Sequence, residues 1–274
     1  MSSKSLIGMN VIVTRPLLQQ ESLLSAIEVH GGVASSFPLI EIEPLREKVF
    51  LESLRKKILG LGQYHRLIFL SVNAGVYGAR LISECWSRLP ANMGVMAIGP
   101  NTAKVVSKEL ACQTIYSKTG STSEDILSLP ELLDVDQLKI AIVRGLGGRE
   151  FLANNLRSRG AEVDYFEVYR RNPIRQSTAQ LFRVIQKSKI NVVSITSGDS
   201  LENLNRLLLA DKNPQQNWHG IPVIVPSERV LNLAQRFGFK NIRLANGADV
   251  ESTIIALQEL AIEADKLDSS RQYN

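Results

Sequence analysis

The sequence contains an internal repeat, in which several segments recur in the same order. This repeat constrains the possible fold more than any other feature of the sequence. Val11–Arg15 aligns with Ile140–Arg144, 129 positions later, and the same offset continues without a gap through the helical stretch that follows. A second pair of segments comes next, in which Leu67–Ser71 aligns with Val192–Thr196, 125 positions later. Several matches in order at a nearly constant offset indicate a duplicated architecture.

Each copy alternates short apolar runs with amphipathic helical stretches. Val11–Val13, Leu67–Leu70 and Ile140–Val143 are short and apolar throughout, unlike strands that expose one face to water. Runs of this kind, separated by helices, are typical of parallel strands covered on both faces. The sequence therefore predicts an α/β fold with two doubly wound parallel sheets and short loops from strand to helix.

Two extended segments indicate how the copies are arranged. Phe37–Pro44 and Phe166–Pro173 are β-prone and end in proline, as expected of strands that pass from one domain to another. The alternative is two tandem domains, 1–136 and 137–274. We favour the crossed arrangement, with a two-stranded hinge and a cleft between the domains. Its parts are a discontinuous first domain (1–37 with 174–265), the hinge (38–44 with 166–173), a second domain (45–165) and a frayed tail (266–274).

Composition excludes several classes of protein. With 274 residues, 44% of them hydrophobic, the chain has enough apolar material for one large or two ordinary cores, and disorder is excluded. The longest apolar runs fall far short of the roughly 20 residues that span a bilayer, and the first residues lack a signal-peptide core. Cys85 and Cys112 have no metal-ligand spacing, so we expect no metal and a cytoplasmic, reducing location.

The formal charge of +5 is concentrated in one part of the chain. Between Lys139 and Arg175 there are eight basic residues against four acidic ones. Such a concentration indicates nucleic acid, an anionic small molecule or a solvated face. Aromatic residues do not alternate with the basic ones as in a nucleic-acid platform, so we expect no nucleic-acid partner. Composition alone favours the solvated face.

The loops after the predicted strands are rich in Ser, Thr, Gly and Arg. In open α/β sheets ligands bind at these loops, where helix N-terminal amides and hydroxyls attract carboxylate or phosphate. Helix capping explains any single loop equally well. Six such loops at one cleft, with Arg15, Arg144 and Arg149 among them, make a multiply anionic ligand a competitive interpretation.

Cofactor and nucleophile motifs are absent from the sequence. Gly145–Glu150 has glutamate where a dinucleotide fingerprint requires its last glycine, and it lacks the lysine of a phosphate-binding P-loop. His30, His65 and His219 lie outside the candidate loops and form no catalytic constellation. The sequence thus predicts no side-chain nucleophile and no nucleotide cofactor.

Eight short motifs, each modest alone, are specific in their order and spacing. They are Val13–Pro16, Phe37–Ile42, Ala97–Ala103, Ile142–Glu150, Gly160–Val163, Val168–Arg170, Ile195–Ser197 and Val225–Arg229. Through them the sequence resembles the uroporphyrinogen-III synthase family from Met9 to about Leu260. The resemblance implies two α/β domains joined by a two-stranded ladder, the first domain being split in sequence. It agrees with the crossed arrangement that the repeat predicts.

The resemblance also implies an activity. The family comprises cofactor-free lyases of tetrapyrrole synthesis that act on hydroxymethylbilane, a linear tetrapyrrole with eight carboxylates. They expel its terminal hydroxyl as water and close the ring with inversion of ring D, through a spiro intermediate. A transient contact with the preceding pathway enzyme is a further hypothesis. The alternative from another class is a non-catalytic two-domain binding or regulatory protein for an anionic ligand.

Site residues follow from the same resemblance. Tyr169 matches a family tyrosine proposed to assist departure of the hydroxyl, and the alternative is a tyrosine that only packs across strands. The Val225–Arg229 loop departs from the Gly-Pro-x-Thr-Ala pattern that Gly99–Ala103 keeps. The positions expected to bind substrate carboxylates are Arg15, Ser71, Thr102, Arg144, Arg149, Thr196, Ser197 and Ser227.

Overall fold

The structure is a computed structural model that describes residues 5–210 and 218–271. It divides into two compact units, Met1–Glu41 with Asn172–Asn274, and Ile42–Arg171. We describe each unit separately. The hinge and the cleft stay predictions. The last helix runs to Arg271 and residues 272–274 lie outside the described residues, so the frayed tail stays a prediction too.

Strands and helices alternate through the described residues. The strands are β1 (Asn10–Val13), β2 (Val33–Ser36), β3 (Ile40–Pro44), β4 (Arg66–Phe69), β5 (Gly94–Ala97), β6 (Ile115–Tyr116), β7 (Lys139–Gly145), β8 (Glu162–Pro173), β9 (Val192–Ser194), β10 (Val223–Val225) and β11 (Ile242–Leu244). The helices are α1 (Glu21–Val29), α2 (Lys48–Leu59), α3 (Val72–Ala74), α4 (Arg80–Cys85), α5 (Pro100–Leu110), α6 (Ser123–Leu127), α7 (Phe151–Ser158), α8 (Thr178–Lys187), α9 (Gly198–Leu209), α10 (Glu228–Arg236) and α11 (Val250–Arg271). A π-helical turn, Gly75–Ala79, joins α3 to α4.

The first unit is built on a parallel sheet in the order β11-β10-β9-β1-β2. Alternate residues of its central strands enter different cores. Val11 and Val13 pack in one cluster with residues of α1 and α11, whereas Ile12 packs in another with residues of α8, α9 and α10. Because both faces of the central strands are covered, β1, β9 and β10 are mostly apolar, as the sequence predicts. The edge strands β2 and β11 are less buried and contain polar residues.

The second unit carries a sheet in the order β3-β8-β7-β4-β5-β6, and its strands from β4 to β8 pair in parallel. Leu67 and Phe69 of β4 enter one core cluster, and Ile68 between them enters the other. The predicted α/β class with parallel, doubly wound sheets is confirmed in both units.

The pairing of β7 with β8 is irregular at one point that matters for the site. Arg144 lies opposite Glu167, but the next residue, Gly145, lies opposite Tyr169. The intervening Val168 is an extra residue on β8, and such a bulge re-aims the side chains beside it. Tyr169 is thereby brought against the backbone of Gly145.

Candidate functional site

Apart from Tyr169, which lies within β8, the predicted site residues lie at or just beyond the carboxyl ends of strands, where ligands bind in open α/β sheets. Those in the first unit are Arg15 after β1, Thr196 and Ser197 after β9, and Ser227 after β10. Those in the second unit are Ser71 after β4, Thr102 after β5, Arg144 at the end of β7, Arg149 in the following loop and Tyr169 on β8.

Four of the loops from strand to helix share one backbone conformation. Ser71, Gly99, Ser197 and Ser227 precede α3, α5, α9 and α10, with φ between −158° and −171° and ψ between 158° and 176°. Ser71 and Ser197 accept hydrogen bonds from the amides of Ala74 and Ser200, at 3.0 and 3.1 Å. Both hydroxyls therefore cap helices, which is the alternative that the sequence left open.

Ser227 differs from these two serines because its side chain makes no capping hydrogen bond. A neighbouring cation was missed by the sequence-based assignment. The guanidinium of Arg229 lies over Gly198 at the start of α9, where Nη1 would be 3.1 Å from an added Cβ. A cation at the positive end of a helix is unfavourable unless an anion offsets it. The signal in the sequence that could have identified Arg229 as a site residue is its place in the Val225–Arg229 motif.

Arg15 is engaged within its own unit. Its Nη2 donates to the carbonyl oxygens of Ala248 and Asp249, at 2.8 and 3.0 Å, just before α11. Burial lowers the pKa of Arg15, and the charge of Asp249 opposes that shift. The contacts tie β1 to the loop that precedes α11. A role in binding carboxylates stays a prediction for Arg15.

Tyr169 is 1% exposed and packs in the core of the second unit. Its hydroxyl lies 3.1 Å from the Ser71 Oγ and accepts a hydrogen bond of 2.8 Å from the Arg171 Nη2. Its ring lies so close to Gly145 that a Cβ there would be 2.7 Å from two ring carbons. Two predicted residues, Ser71 and Tyr169, are thus brought into contact, and Arg171 joins them.

Arg144 is surrounded by groups of the second unit. Its guanidinium lies 3.8 Å from the ring centre of Tyr165 and forms ion pairs of 3.2 Å with Glu150 and 3.4 Å with Glu167. Glu167 also accepts a hydrogen bond from the amide of Gly147. The charge of Arg144 is therefore offset internally, and the side chain anchors the glycine-rich loop after β7.

The same cluster changes the titration of its members. A hydrogen bond from the hydroxyl of Tyr165, with help from the Arg144 charge, lowers the pKa of Glu150. Burial and that hydrogen bond raise the pKa of Tyr165. Sequence reasoning does not identify these three partners of Arg144. Tyr165 and Glu167 meet it through the pairing of β7 with β8, and Glu150 meets it through the conformation of the loop after β7.

The remaining predicted residues differ in exposure. Thr102 is buried in the first turn of α5, Thr196 is half-buried, and Arg149 is exposed on the loop between β7 and α7. Only the backbone of Arg149 has a described contact, since its carbonyl accepts from the Arg144 Nη1 at 3.3 Å. Arg149 is consequently the predicted arginine whose charge is open to a ligand.

Exposed apolar side chains occur near these polar groups of the second unit. Val72 and Val76 follow Ser71 on the same helical segment, while Leu146 and Phe151 flank the glycine-rich loop. Exposed apolar groups beside buried hydroxyls and a free guanidinium suit a ligand that has both flat apolar rings and carboxylates.

The described residues contain neither a cluster of metal ligands nor a membrane-spanning helix. Within residues 5–210 and 218–271, no group of three or more His, Cys, Asp or Glu side chains is arranged to hold a metal ion. No helix in the same part of the chain is long and apolar enough to cross a membrane.

Comparisons with known proteins point to one family. A family model described as uroporphyrinogen-III synthase HemD matches residues 21–255. The uroporphyrinogen-III synthase of Escherichia coli K12 is 33% identical over 258 residues, which cover 91% of this chain and all of that protein. The synthase of Salmonella typhimurium LT2 is 31% identical, with the same coverage of both chains.

Solved structures show the same fold at low sequence identity. A mutant uroporphyrinogen III synthase from the extremely thermophilic bacterium Thermus thermophilus matches with a TM-score of 0.62 and 16% identity, over 93% of this chain and 98% of that one. The synthetase from Helicobacter pylori 26695 matches with a TM-score of 0.59 and 15% identity, over 93% and 99%.

Proposed function

The chain belongs to the uroporphyrinogen-III synthase family, and we propose that it converts hydroxymethylbilane to uroporphyrinogen III. In this proposal the protein is a lyase that removes water and closes the ring with inversion of ring D. The observation that carries it is the match with the Escherichia coli synthase over that protein's entire length. The comparisons give no support to the alternative of a non-catalytic binding or regulatory protein.

The proposed reaction needs positioning more than a nucleophile. The pyrrole nitrogen of the substrate drives loss of the hydroxyl, so the substrate supplies its own electron push. The protein has to fold a flexible chain so that attack at the inverting carbon outpaces simple end-to-end closure. Such positioning accounts for large rate effects without covalent chemistry. Loops of amides, hydroxyls and guanidinium groups are suited to holding a substrate with many carboxylates.

We assign the predicted residues three kinds of role in this reaction, of which the third belongs to Tyr169. Thr102, Thr196, Ser197, Ser227 and the exposed Arg149 bind carboxylates, either directly or through the amides of their helix N-termini. The partners already described for Arg15 and Arg144 support a different task, which is to hold those loops in place.

Tyr169 supplies the proton that the departing hydroxyl needs. In support, the hydrogen bond from Arg171 provides positive charge beside the phenol oxygen and stabilises the phenolate left behind. A general acid of this kind contributes about 10²–10⁴-fold in rate.

The domain organisation is also part of the proposal. We propose a split first domain, a two-stranded hinge and a second domain, each with the boundaries predicted from the sequence. In this proposal the two domains close over the substrate. The reaction needs no cofactor, takes place in the cytoplasm, and includes a transient contact with the enzyme that supplies the substrate.

The test of this function is the identity of the product isomer. Hydroxymethylbilane incubated with the protein is expected to give the type III isomer after oxidation and chromatography. The control without protein gives the type I isomer, because unassisted closure joins the two ends without inversion. Recovery of only the type I isomer in both samples would show that the proposal is wrong.

A further inference from the structure

The burial of Tyr169 places its hydroxyl out of reach of a bound substrate. The residue is 1% exposed, and its oxygen lies 3.1 Å from the Oγ of Ser71, which is half-buried just before α3. We propose that Ser71 is the group that touches the departing hydroxyl, and that Tyr169 supplies its proton through Ser71. This inference rests on the proposed function and names the route by which the proton reaches the substrate.

The relay requires Tyr169 to donate its hydrogen bond to Ser71, and the other partners of the cluster accommodate this direction. Arg171 has only donors, so the phenol oxygen of Tyr169 accepts at 2.8 Å and its own hydrogen is free for Ser71 Oγ at 3.1 Å. Ser71 Oγ also accepts from the Ala74 amide at 3.0 Å. A serine oxygen has two lone pairs and one hydrogen. In the proposed direction Tyr169 and the Ala74 amide engage both lone pairs of Ser71 Oγ, and the Ser71 hydrogen remains for an oxygen outside the cluster.

The step is balanced in atoms and charge. The bond between the terminal methylene carbon and its hydroxyl oxygen breaks, and both electrons stay with the oxygen. That oxygen takes the Ser71 proton and leaves as water, while Ser71 takes the Tyr169 proton in the same event. The substrate becomes an azafulvenium cation, and Tyr169 becomes a phenolate held beside the Arg171 guanidinium. The proton released from the attacked pyrrole after ring closure restores the phenol.

Two features of the second unit hold this relay in place. The ring of Tyr169 is confined by the backbone of Gly145, and it also contacts Tyr77 of the π-helical turn with ring centres 6.2 Å apart. Ser71 is fixed because it caps the segment that begins at Val72. The relay geometry therefore exists without a rotation of either side chain.

The test compares variants of Ser71 with variants of Tyr169 in turnover of hydroxymethylbilane. We expect Ser71→Ala and Tyr169→Phe each to lower kcat by about 10²-fold with little change in KM. The double variant is expected to be no slower than the slower single variant, because both changes interrupt one chain. Ser71→Thr keeps a hydroxyl and should stay within about tenfold of the wild-type kcat.

Two further variants separate the relay from the capping role of Ser71. Ser71→Asn keeps a good N-cap but has no hydroxyl, so it should be as slow as Ser71→Ala. Thr122→Ala removes the cap of α6 in the same unit and should keep the wild-type kcat. In mixtures of H₂O and D₂O, a plot of kcat against the deuterium fraction of the solvent should be curved for the wild type, because two protons move in the step. The same plot should be a straight line for Tyr169→Phe, in which one proton moves.

The outcomes are distinct. Wild-type kcat in Ser71→Ala or Ser71→Asn, or rate losses that multiply in the double variant, would overturn the relay. If the wild-type protein makes the type III isomer in those experiments, the proposed function stands and only the route of the proton is wrong. If the wild-type protein makes only the type I isomer, the proposed function itself fails.

Discussion

Replacing Arg144 with methionine is expected to destabilise the second unit and to slow catalysis. The guanidinium is 8% exposed between Glu150, Glu167 and the Tyr165 ring. Its removal leaves Glu167 without its cation and leaves Glu150 with only the longer ion pair to Arg157, at 3.8 Å. Removing one partner of a fully buried ion pair costs about 3–5 kcal/mol, and because both carboxylates reach solvent here we expect about 2–3 kcal/mol. Urea unfolding measures that loss.

The kinetic effect of the same change distinguishes an anchor from a substrate ligand. Without Arg144, Glu167 loses the ion pair that holds it beside the Gly147 amide, so the loop after β7 is held less firmly. Because this loop then positions the substrate less well, kcat/KM should fall about tenfold or more. If Arg144 binds a substrate carboxylate instead, KM should rise while the free energy of unfolding stays unchanged.

Matched variants sharpen the comparison. Arg149→Met removes an exposed charge from the same loop, and it should raise KM with almost no change in stability. The double variant Arg144→Met/Glu167→Gln removes the cation together with one of the carboxylates, so it should recover part of the lost stability. An Arg144→Met variant that unfolds like the wild type would contradict the anchoring role.

The fold class could be predicted from the sequence because both the internal repeat and the pattern of apolar strands are recognisable in it. The first segment of one copy contains β1 and the second segment of the other copy contains β9, and these strands are neighbours in the first sheet. The complementary pair, β4 and β7, are neighbours in the second sheet. Short apolar runs predict parallel strands because burial on both faces leaves no place for alternating polar residues.

The site could be predicted only in part. Loops at the carboxyl ends of strands follow from the fold class, and so do the positions of Ser71 and Ser197. The contact of Arg144 with Glu167 could not be predicted, because it depends on the register between β7 and β8, in which Arg144 lies opposite a residue 23 positions later. The depth of Tyr169 depends on the bulge at Val168, opposite Gly145, that no residue pattern indicates.

That bulge gives Gly145 its importance. A Cβ at this position would lie 2.7 Å from two ring carbons of Tyr169 and 3.1 Å from its hydroxyl oxygen. Real Cβ contacts are essentially never that short, and the neighbouring atoms belong to a rigid aromatic ring in the core. The backbone at Gly145 is strand-like, so the close approach of the ring, and not a special backbone angle, is what requires glycine here.

Gly145→Ala should therefore push the Tyr169 ring away from Ser71 and lower kcat by about 10²-fold, the usual contribution of a general acid. The displaced ring should also lower the free energy of unfolding by about 1–3 kcal/mol, as overpacked cores do. Gly62→Ala is the control, because a Cβ there meets only Trp86 at 3.8 Å, and it should match the wild type in both measurements. When Tyr169→Phe is already present, adding Gly145→Ala should slow turnover little further, since the phenol is gone. A Gly145→Ala protein with wild-type turnover would show that the position of the Tyr169 hydroxyl does not matter for the reaction.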